Sequence, residues 1–384
     1  MLKKAAAVFV VCVGLATWIS CGTTVSHFVY AATPASNQIF AYREDPNSGI
    51  LTALTGSPFQ ASGQGIEAIA IHPSKKFLFG VNSLTNDISF FSILPQGGIT
   101  ETIPPGGRTS VSPATVPRFL AIDPTGSLMY IANVGSSNIS VFSIDPTSGA
   151  LTQVAKSQNC PGSPFPIGIT PLNMALSPSG KTLYVTGGGN GQFGSIQIFD
   201  VTAVTTGCMT PIPGPQIAPG RSPVGLAIDP TGSFLYTANK TDNTVSGYTI
   251  NADGSLASIA GFPVSGPLAG PEALLIDPSG KFLYVANAIS STSNVGSNLA
   301  AFSISSSSST QGGGALTLLG NSPFGTGSQP SFIASDPNGK YLFVGNQASP
   351  IMIQSFSLTP SNGTLTSVAL YSLGNTPSSI VVLQ

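Results

Sequence analysis

The stretch LAIDPTGSLMYIANVGSSNISVFSIDPTSGALT, residues 120–152, carries the pattern that decides the fold of this chain. The phrase returns as LAIDPTGSFLYTANKTDNTVSGYTI at residues 226–250 and as LLIDPSGKFLYVANA at residues 274–288. Weaker copies share its order of features and begin at Ile69, Ala175 and Ile333. The residue before the turn proline recurs every 48 to 59 residues. A period of this size is typical of propeller blades rather than helical solenoid units.

Each copy divides into four short strands on local chemistry. A short apolar strand leads into Asp-Pro-x-Gly, a turn in which proline presets φ and the aspartate caps the backbone. The second strand, as in FLYVAN at residues 282–287, is rich in aromatic and β-branched residues. The third, as in ISVFSI at residues 139–144, is apolar on both faces, and the fourth is the short run after Ser-Gly. Four antiparallel strands per repeat predict an all-β propeller.

The two ends of the chain complete one another. HFVYAATPASNQIFAYREDPNSGILT, residues 27–52, supplies strands two to four of a blade, with no first strand before it. TPSSIVVLQ, residues 376–384, matches the first strand SPVGLAIDP of residues 222–230 and stops after it. The sequence therefore predicts seven four-stranded antiparallel blades, with the closing blade shared by the N- and C-terminal segments. This closure leaves no open sheet edge in the ring.

The composition agrees with many short strands joined by tight turns. The 384 residues include 44 Gly and 32 Pro, and only 7% are charged. The net charge is −1, and no Lys/Arg cluster occurs beyond the first four residues. The chain therefore lacks the electrostatic footprint of a protein that binds nucleic acid, and we exclude that class of partner.

Residues 1–21 are typical of a lipoprotein-type export signal. Two lysines precede an apolar stretch from Ala5 to Trp18, which is too short for a good membrane span. A small residue directly before Cys21 resembles the lipobox of bacterial lipoproteins, in which the cysteine is lipidated, although Trp18 replaces the usual Leu. An ordinary cleaved signal and an uncleaved anchor stay open. We expect residues 22–384 to form an extracytoplasmic propeller, secreted or held to the cell envelope only by a lipid, and monomeric.

Cysteine usage agrees with an oxidising compartment. Cys12 and Cys21 belong to the signal, which leaves Cys160 and Cys208 as an even pair on neighbouring blades. The sequence does not show whether their Cα atoms come within bonding range. A disulfide and two unpaired thiols both remain open.

The phrases LYVAN and DPSGKFLYVAN resemble YVTN-type propeller repeats. From about residue 25 to its end, the chain is similar to the seven-bladed lactonase family, which includes propeller-type 6-phosphogluconolactonases. The resemblance implies a lactone hydrolase that acts at the central funnel. In that family the first strand of a blade commonly opens with Gly-Pro-Arg-His, and the Arg and His face the funnel. The nearest match here is Val116-Pro117-Arg118-Phe119, which keeps the arginine and has Phe119 where the family has histidine.

Histidine is scarce in this chain. Opening a lactone with water needs a base near neutral pKa and a group that stabilises the oxyanion. His72 stands where sibling blades have the turn aspartate, and His27 aligns with Lys281 at the start of a second strand, an exposed rim position. We expect both to be structural. Two histidines cannot build a His-rich metal site, so neither a metal nor another cofactor is expected.

The position after the leading proline, whose place is taken by Ile66 before Glu67, starts the innermost strand of each blade, so these seven mouth positions surround one end of the central channel. In chain order they are Glu67, Arg118, Leu172, Val224, Glu272, Ser331 and Ser378, and Arg221 lies just ahead of its own leading proline. In one interpretation, Arg118 and Arg221 bind an anionic or carbonyl ligand while Glu67 or Glu272 polarises a water. In the other, these carboxylates and guanidinium groups merely neutralise one another around a solvent-filled hole.

Three functions fit these observations. The absent histidine, the sparse charge and the export signal favour first an exported propeller without chemistry that binds a small molecule or an envelope protein. The alternative is a lactone hydrolase with Arg118, Glu67 and Glu272 as catalytic residues and Arg221 as a ligand-binding residue. The third is a structural protein of the envelope. A phosphorylated sugar fits poorly, because two arginines balanced by two glutamates make a weak phosphate site.

Overall fold

The computed structural model describes residues 27–103, 109–111, 114–157, 160–188, 193–203, 207–214, 217–288, 297–306 and 313–383. Within these ranges every regular element is a β-strand, and the strands form seven antiparallel sheets. The described residues include no helix with the length and apolar character that a membrane span requires. The all-β prediction is confirmed.

Each sheet is one blade, and blades are numbered in chain order from the one that contains the first strand. Blade 1 contains β1 (His27–Thr33), β2 (Gln38–Glu44), β3 (Leu51–Ala53), β4 (Phe59–Gln60) and β32 (Ser379–Leu383). Blade 2 contains β5 (Ile66–Ile71), β6 (Phe77–Asn82), β7 (Asp87–Ile93), β8 (Ile99–Glu101) and β9 (Thr109–Ser110). Blade 3 contains β10 (Pro117–Ile122), β11 (Leu128–Asn133), β12 (Asn138–Ile144), β13 (Leu151–Gln153) and β14 (Phe165–Pro166).

The remaining four blades follow the same order. Blade 4 contains β15 (Thr170–Leu176), β16 (Thr182–Gly188), β17 (Ser195–Asp200) and β18 (Thr210–Pro211). Blade 5 contains β19 (Pro223–Ile228), β20 (Phe234–Asn239), β21 (Thr244–Ile250) and β22 (Leu256–Ser258). Blade 6 contains β23 (Pro271–Ile276), β24 (Phe282–Asn287), β25 (Asn298–Ile304), β26 (Leu316–Leu318) and β27 (Phe324–Gly325). Blade 7 contains β28 (Pro330–Ser335), β29 (Tyr341–Asn346), β30 (Met352–Thr359) and β31 (Thr364–Ser372).

The blades form a closed ring. The innermost strands contact one another in the order β5, β10, β15, β19, β23, β28, β32 and back to β5. Strand β32 pairs antiparallel with β1, from Phe28 opposite Leu383 to Ala32 opposite Ser379. The predictions of seven blades and of a closing blade shared by both ends of the chain are therefore confirmed.

Apolar side chains fill the spaces between neighbouring blades. Among the described residues, each of the seven blade interfaces has its own hydrophobic cluster. Between blades 5 and 6, for example, Tyr236 and Val245 pack with Leu283 and Val285. Burying side chains of this size contributes about 1.5–3 kcal/mol each. The ring is thus stabilised by packing between sheets as well as by pairing within them.

Buried tyrosines on the second strands tie each blade to the next. Their hydroxyls donate to glycine carbonyls at 2.6–2.9 Å, from Tyr30 to Gly97, Tyr184 to Gly254, Tyr236 to Gly314 and Tyr284 to Gly363. Each bond satisfies two polar groups that would otherwise be buried without partners.

The Asp-Pro-x-Gly turns are held by their aspartates. Asp229 is buried, and its Oδ1 accepts the Phe234 N–H at 2.6 Å. In blade 2, Nδ1 of His72 accepts the Ser74 N–H at 3.1 Å, so that Nε2 carries the proton and donates to the Gly126 carbonyl oxygen at 2.8 Å. His72 therefore has the structural turn role that its position predicts.

A disulfide links Cys160, which follows β13 in blade 3, to Cys208, which precedes β18 in blade 4. Their Cα atoms are 5.6 Å apart, within the usual range for a disulfide. Of the two alternatives left open by the sequence, the structure has the bonded pair.

Candidate functional site

A β-bulge at the start of the innermost strand aims one side chain of each complete blade at the channel. In blade 3, Pro117 pairs with Asn133 and Phe119 with Ala132, so Arg118 is the extra residue between them. Bulges of this kind redirect a side chain away from the regular ladder. The same shift in register occurs in the other complete blades at Glu67, Leu172, Val224, Glu272 and Ser331.

The mouth positions meet in one cavity of about 370 Å³, which is large enough for a small molecule. Its wall contains Glu67, Arg118, Leu172, Val224, Glu272, Ser331 and Ser378, with Phe119 beside them, which also packs against the hydrophobic cluster between blades 3 and 4. The three residues predicted to be catalytic therefore surround a single opening.

Glu272 has a partner that the sequence pattern did not single out. Nζ of Lys240 forms an ion pair with Oε2 of Glu272. Lys240 directly follows the asparagine that ends β20, and the equivalent residues Val134 and Gln347 line the same cavity. Aligning the residue after this asparagine across blades would have identified Lys240. The charge of Glu272 is compensated by this lysine.

Glu67 is less heavily engaged. Its Oε1 accepts a hydrogen bond from the Ser83 hydroxyl at 3.2 Å. Across the part of the chain that the structure describes, no lysine, arginine or histidine nitrogen is paired with its carboxylate. Glu67 therefore keeps a carboxylate oxygen available to a water or a ligand.

The two arginines of the predicted funnel have different surroundings. Arg118 is exposed in the cavity wall, and no carboxylate is paired with it among the described residues. Arg221 is outside that wall, and its Nε donates to Oδ1 of Asp242 at 2.6 Å. Partial burial alone would raise the pKa of the Asp242 carboxyl, but hydrogen bonds and charge from Arg221 hold it below its usual value. The structure thus groups Arg118 with the two glutamates and places Arg221 apart from them.

The expectation of an exposed His27 is wrong. His27 is only 2% exposed, and its Nδ1 lies 3.3 Å from Oε2 of Glu44 and 3.9 Å from Oδ2 of Asp336. Burial and, less strongly, the carboxylates of Asp336 and Asp45 raise the pKa of Glu44 to about 8, although Lys340 lowers it. Alignment of β1 with the other second strands predicted an exposed side chain for His27, but residues of blade 7, which are distant in sequence, lie against it. Cys21, the predicted lipidation site, lies outside the described residues.

Comparison with known proteins agrees with the propeller fold. The family model for "Lactonase, 7-bladed beta-propeller" matches residues 24–165 and 174–382. The chain belongs to this lactonase family. Among the relatives of this lactonase-family propeller, the 6-phosphogluconolactonase of Pectobacterium atrosepticum is 27% identical over 361 residues, which are 92% of this chain and 98% of that protein.

Solved structures share the fold of this lactonase-family propeller. A putative 6-phosphogluconolactonase of Bacteroides fragilis has a TM-score of 0.75 and 22% identity, covering 94% of this chain and 99% of its own. The periplasmic gluconolactonase of Pseudomonas aeruginosa has a TM-score of 0.69 and 18% identity, covering 94% and 99% respectively.

Proposed function

We propose that the protein is a lactone hydrolase and that the central cavity takes a sugar lactone as substrate. The observation that carries this proposal is the convergence of Glu67, Arg118 and Glu272 on one cavity of about 370 Å³ in a lactonase-family chain. Relatives named 6-phosphogluconolactonase align over almost their whole length. These findings favour hydrolysis over the scaffold function that the missing histidine suggested.

In this proposal Glu67 takes the place of the absent histidine as general base. A water between Glu67 and the lactone gives a proton to the carboxylate while its oxygen bonds to the carbonyl carbon. The charge that develops on the carbonyl oxygen is stabilised by the Arg118 guanidinium. The ring C–O bond then breaks, the leaving oxygen takes up the proton, and the product is a hydroxy acid.

Glu272 has a binding role in the same scheme. Its carboxylate is already paired with Lys240, so it is less available as a base than Glu67. A carboxylate and an ammonium group held side by side offer an acceptor and donors to the hydroxyls of a sugar ring. We therefore assign Glu272 and Lys240 to substrate orientation.

A neutral sugar lactone suits this cavity better than a phosphorylated one. The described residues of the wall include one cationic side chain, Arg118, and the nearby Lys240 is already paired with Glu272. Phosphate groups are usually bound by several charge-assisted hydrogen bonds, which this wall does not offer. The periplasmic gluconolactonase of Pseudomonas aeruginosa, which shares the fold, is named for a lactone without a phosphate group. 6-Phosphogluconolactone is the second candidate, because the curated relatives carry that name.

The test is lactone hydrolysis measured as proton release, with gluconolactone and 6-phosphogluconolactone compared and the uncatalysed rate subtracted. We expect Glu67→Gln to lower kcat about 10²–10⁴-fold, as removal of a general base does. We expect Arg118→Gln to lower it about 10²–10³-fold, as loss of an oxyanion donor does. The matched control is Lys281→Gln, which removes a charge at the far end of the blade, beside the Asp-Pro-x-Gly turn.

Two outcomes would refute the proposal. One is no turnover of either lactone by the wild-type protein. The other is a Glu67→Gln variant whose kcat matches that of Lys281→Gln. If the protein prefers 6-phosphogluconolactone, it is still a lactone hydrolase, but its substrate is the phosphorylated lactone rather than the neutral one.

We also propose that the protein acts outside the cytoplasm, exported on residues 1–21 and lipidated at Cys21. The two lysines and apolar stretch of this segment support export, and the disulfide between Cys160 and Cys208 is of the kind that persists in oxidising compartments. Cell fractionation tests this. We expect the wild-type protein in the membrane fraction and the Cys21→Ser variant outside it. Wild-type protein recovered in the cytoplasm with reduced thiols would contradict the proposal.

A further inference from the structure

We propose that His27, Glu44 and Asp336 form a binding site for a divalent transition-metal cation of the Zn²⁺ or Mn²⁺ type at the junction of blades 1 and 7. One ligand atom from each residue lies within 4.8 Å of the others. Nδ1 of His27 is 3.3 Å from Oε2 of Glu44 and 3.9 Å from Oδ2 of Asp336. Ligands that share one such cation at bond lengths of about 2.0–2.2 Å are separated by roughly 3–4 Å.

Two of the three residues have ligand atoms that are buried without hydrogen-bond partners, whereas Asp336 is already held in its turn by the N–H groups of Asn338, Lys340 and Tyr341. His27, Glu44 and Asp336 are 2%, 1% and 1% exposed. Nδ1 of His27 and both carboxylate oxygens of Glu44 make no hydrogen bond to any described part of the chain. Leaving buried polar and charged groups unsatisfied is costly, and a bound cation would satisfy all three atoms.

The repeat shows that this pair is not part of ordinary blade packing. In each of the other six blades, a residue at or next to the end of the third strand is aliphatic, and its N–H donates to the carbonyl oxygen of the residue that follows the first turn. These pairs are Ile93 with Lys76, Ile144 with Ser127, Val201 with Lys181, Ile250 with Ser233, Ile304 with Lys281 and Leu358 with Lys340. In blade 1 the equivalent pair is Glu44 opposite His27. Blade 1 thus differs from the other blades at both positions, with Glu44 in place of an aliphatic residue and His27 in place of Lys or Ser.

The topology explains why a cation would be useful at this place. The innermost and second strands of blade 1, β32 and β1, come from opposite ends of the chain and have no Asp-Pro-x-Gly turn between them. In blades 4 to 7 the glycine of that turn packs against the turn proline of the preceding blade, as Gly339 does against Pro278. His27 contacts Asp336 of blade 7 in the position that such a turn would cover. A shared cation would therefore link β1 to blade 7 and stabilise ring closure.

The donor set also indicates which cations fit. One imidazole nitrogen and two carboxylates suit Zn²⁺ or Mn²⁺, whereas Mg²⁺ and Ca²⁺ prefer oxygen ligands throughout. The carboxylates of Glu44 and Asp336 together supply two negative charges, which balance the +2 charge of such a cation when the His27 imidazole is neutral. Nε2 of His27 lies 3.4 Å from Nδ2 of Asn338. A metal ion on Nδ1 would leave the proton on Nε2, and the Asn338 amide would then turn its oxygen towards the ring to accept it. The site differs from the central cavity, since none of its residues lines that cavity.

The test is titration of the EDTA-treated full chain with Zn²⁺, read by calorimetry and by metal analysis after dialysis. Free thiols are alkylated first, because Cys12 and Cys21 would otherwise bind Zn²⁺. We expect one Zn²⁺ per chain, no displacement by equimolar Mg²⁺, and an unfolding temperature that rises when Zn²⁺ is added.

Two variants carry the residues of the sibling blades and should therefore fold. Glu44→Ile and His27→Lys are each expected to bind Zn²⁺ at least about 10-fold more weakly, since loss of a group that only hydrogen-bonds to a metal ligand already costs that much. The matched control is Asp277→Asn, which alters the turn carboxylate of blade 6; the corresponding pair of the next blade is Leu358 with Lys340. It should bind Zn²⁺ like the wild type, and circular dichroism verifies the fold of each variant.

Two results would overturn the proposal. If the wild-type chain takes up no Zn²⁺, the cluster is a histidine–carboxylate pair and nothing more. If Glu44→Ile binds Zn²⁺ as tightly as Asp277→Asn does, the ion is bound elsewhere. Neither result bears on lactone hydrolysis, so this proposal and the proposed function fail independently.

Discussion

Removing residues 376–384 should abolish cooperative folding, because these residues supply β32 and with it the innermost strand of blade 1. Strand β32 pairs with five residues of β1, from Phe28 to Ala32, and each inter-strand hydrogen bond is worth about 0.5–1.5 kcal/mol net. Ile380 and Leu383 are 8% and 6% exposed, and burial of each contributes about 1.5–3 kcal/mol. The combined loss is of the same order as the whole stability of a domain, about 5–15 kcal/mol.

A graded variant separates this effect from general damage. Ile380 packs in the cluster between blades 7 and 1, and Ile380→Ala should lower the free energy of unfolding by about 2–5 kcal/mol without preventing folding. The matched control is Leu370→Ala on β31, where the side chain is 58% exposed and the change should stay within about 0.5 kcal/mol.

Urea unfolding, followed by circular dichroism and intrinsic fluorescence, measures the stability of the parent, the truncated chain and the two substituted variants. The truncated chain should show no cooperative transition, and a synthetic peptide of residues 376–384 should restore part of the folded signal. A truncated chain that unfolds at the parent midpoint would refute the argument. So would an Ile380→Ala variant as stable as Leu370→Ala.

Two further substitutions test links between neighbouring blades. Tyr284→Phe should lower the free energy of unfolding by about 1–3 kcal/mol, because the buried Gly363 carbonyl loses its hydrogen-bond donor. The phenyl ring should still fit, as that of Phe79 does at the same position of blade 2. An unchanged urea midpoint would show that the hydrogen bond contributes nothing. Replacing both Cys160 and Cys208 with serine should lower the free energy of unfolding by up to about 4 kcal/mol, because the disulfide closes a loop over a separation of 48 residues in the unfolded chain. Equal urea midpoints for the variant and the oxidised parent would contradict this.

The architecture was predictable because its determinants are local and repeated. The aspartate and proline of each Asp-Pro-x-Gly favour a turn, and in the structure Asp229 caps its turn by accepting the Phe234 N–H. Aromatic and β-branched residues favour the strands on either side. The unmatched segments at residues 27–52 and 376–384 could form only one blade between them. Repetition also predicted the site in outline, since equivalent residues of seven blades must surround the channel, as Glu67, Arg118 and Glu272 do.

The sequence by itself thus determined the blade, the number of blades, the closure and the set of side chains that surround the cavity. Only the tertiary structure decided which charges meet. Lys240 pairs with Glu272 from the neighbouring blade, whereas Arg221 turns to Asp242. His27 is buried because Asp336, distant along the chain, lies against it. The repeat sets backbone positions around the ring, but the pairing of side chains depends on rotamers and on neighbours contributed by adjacent blades, and a repeat pattern contains neither.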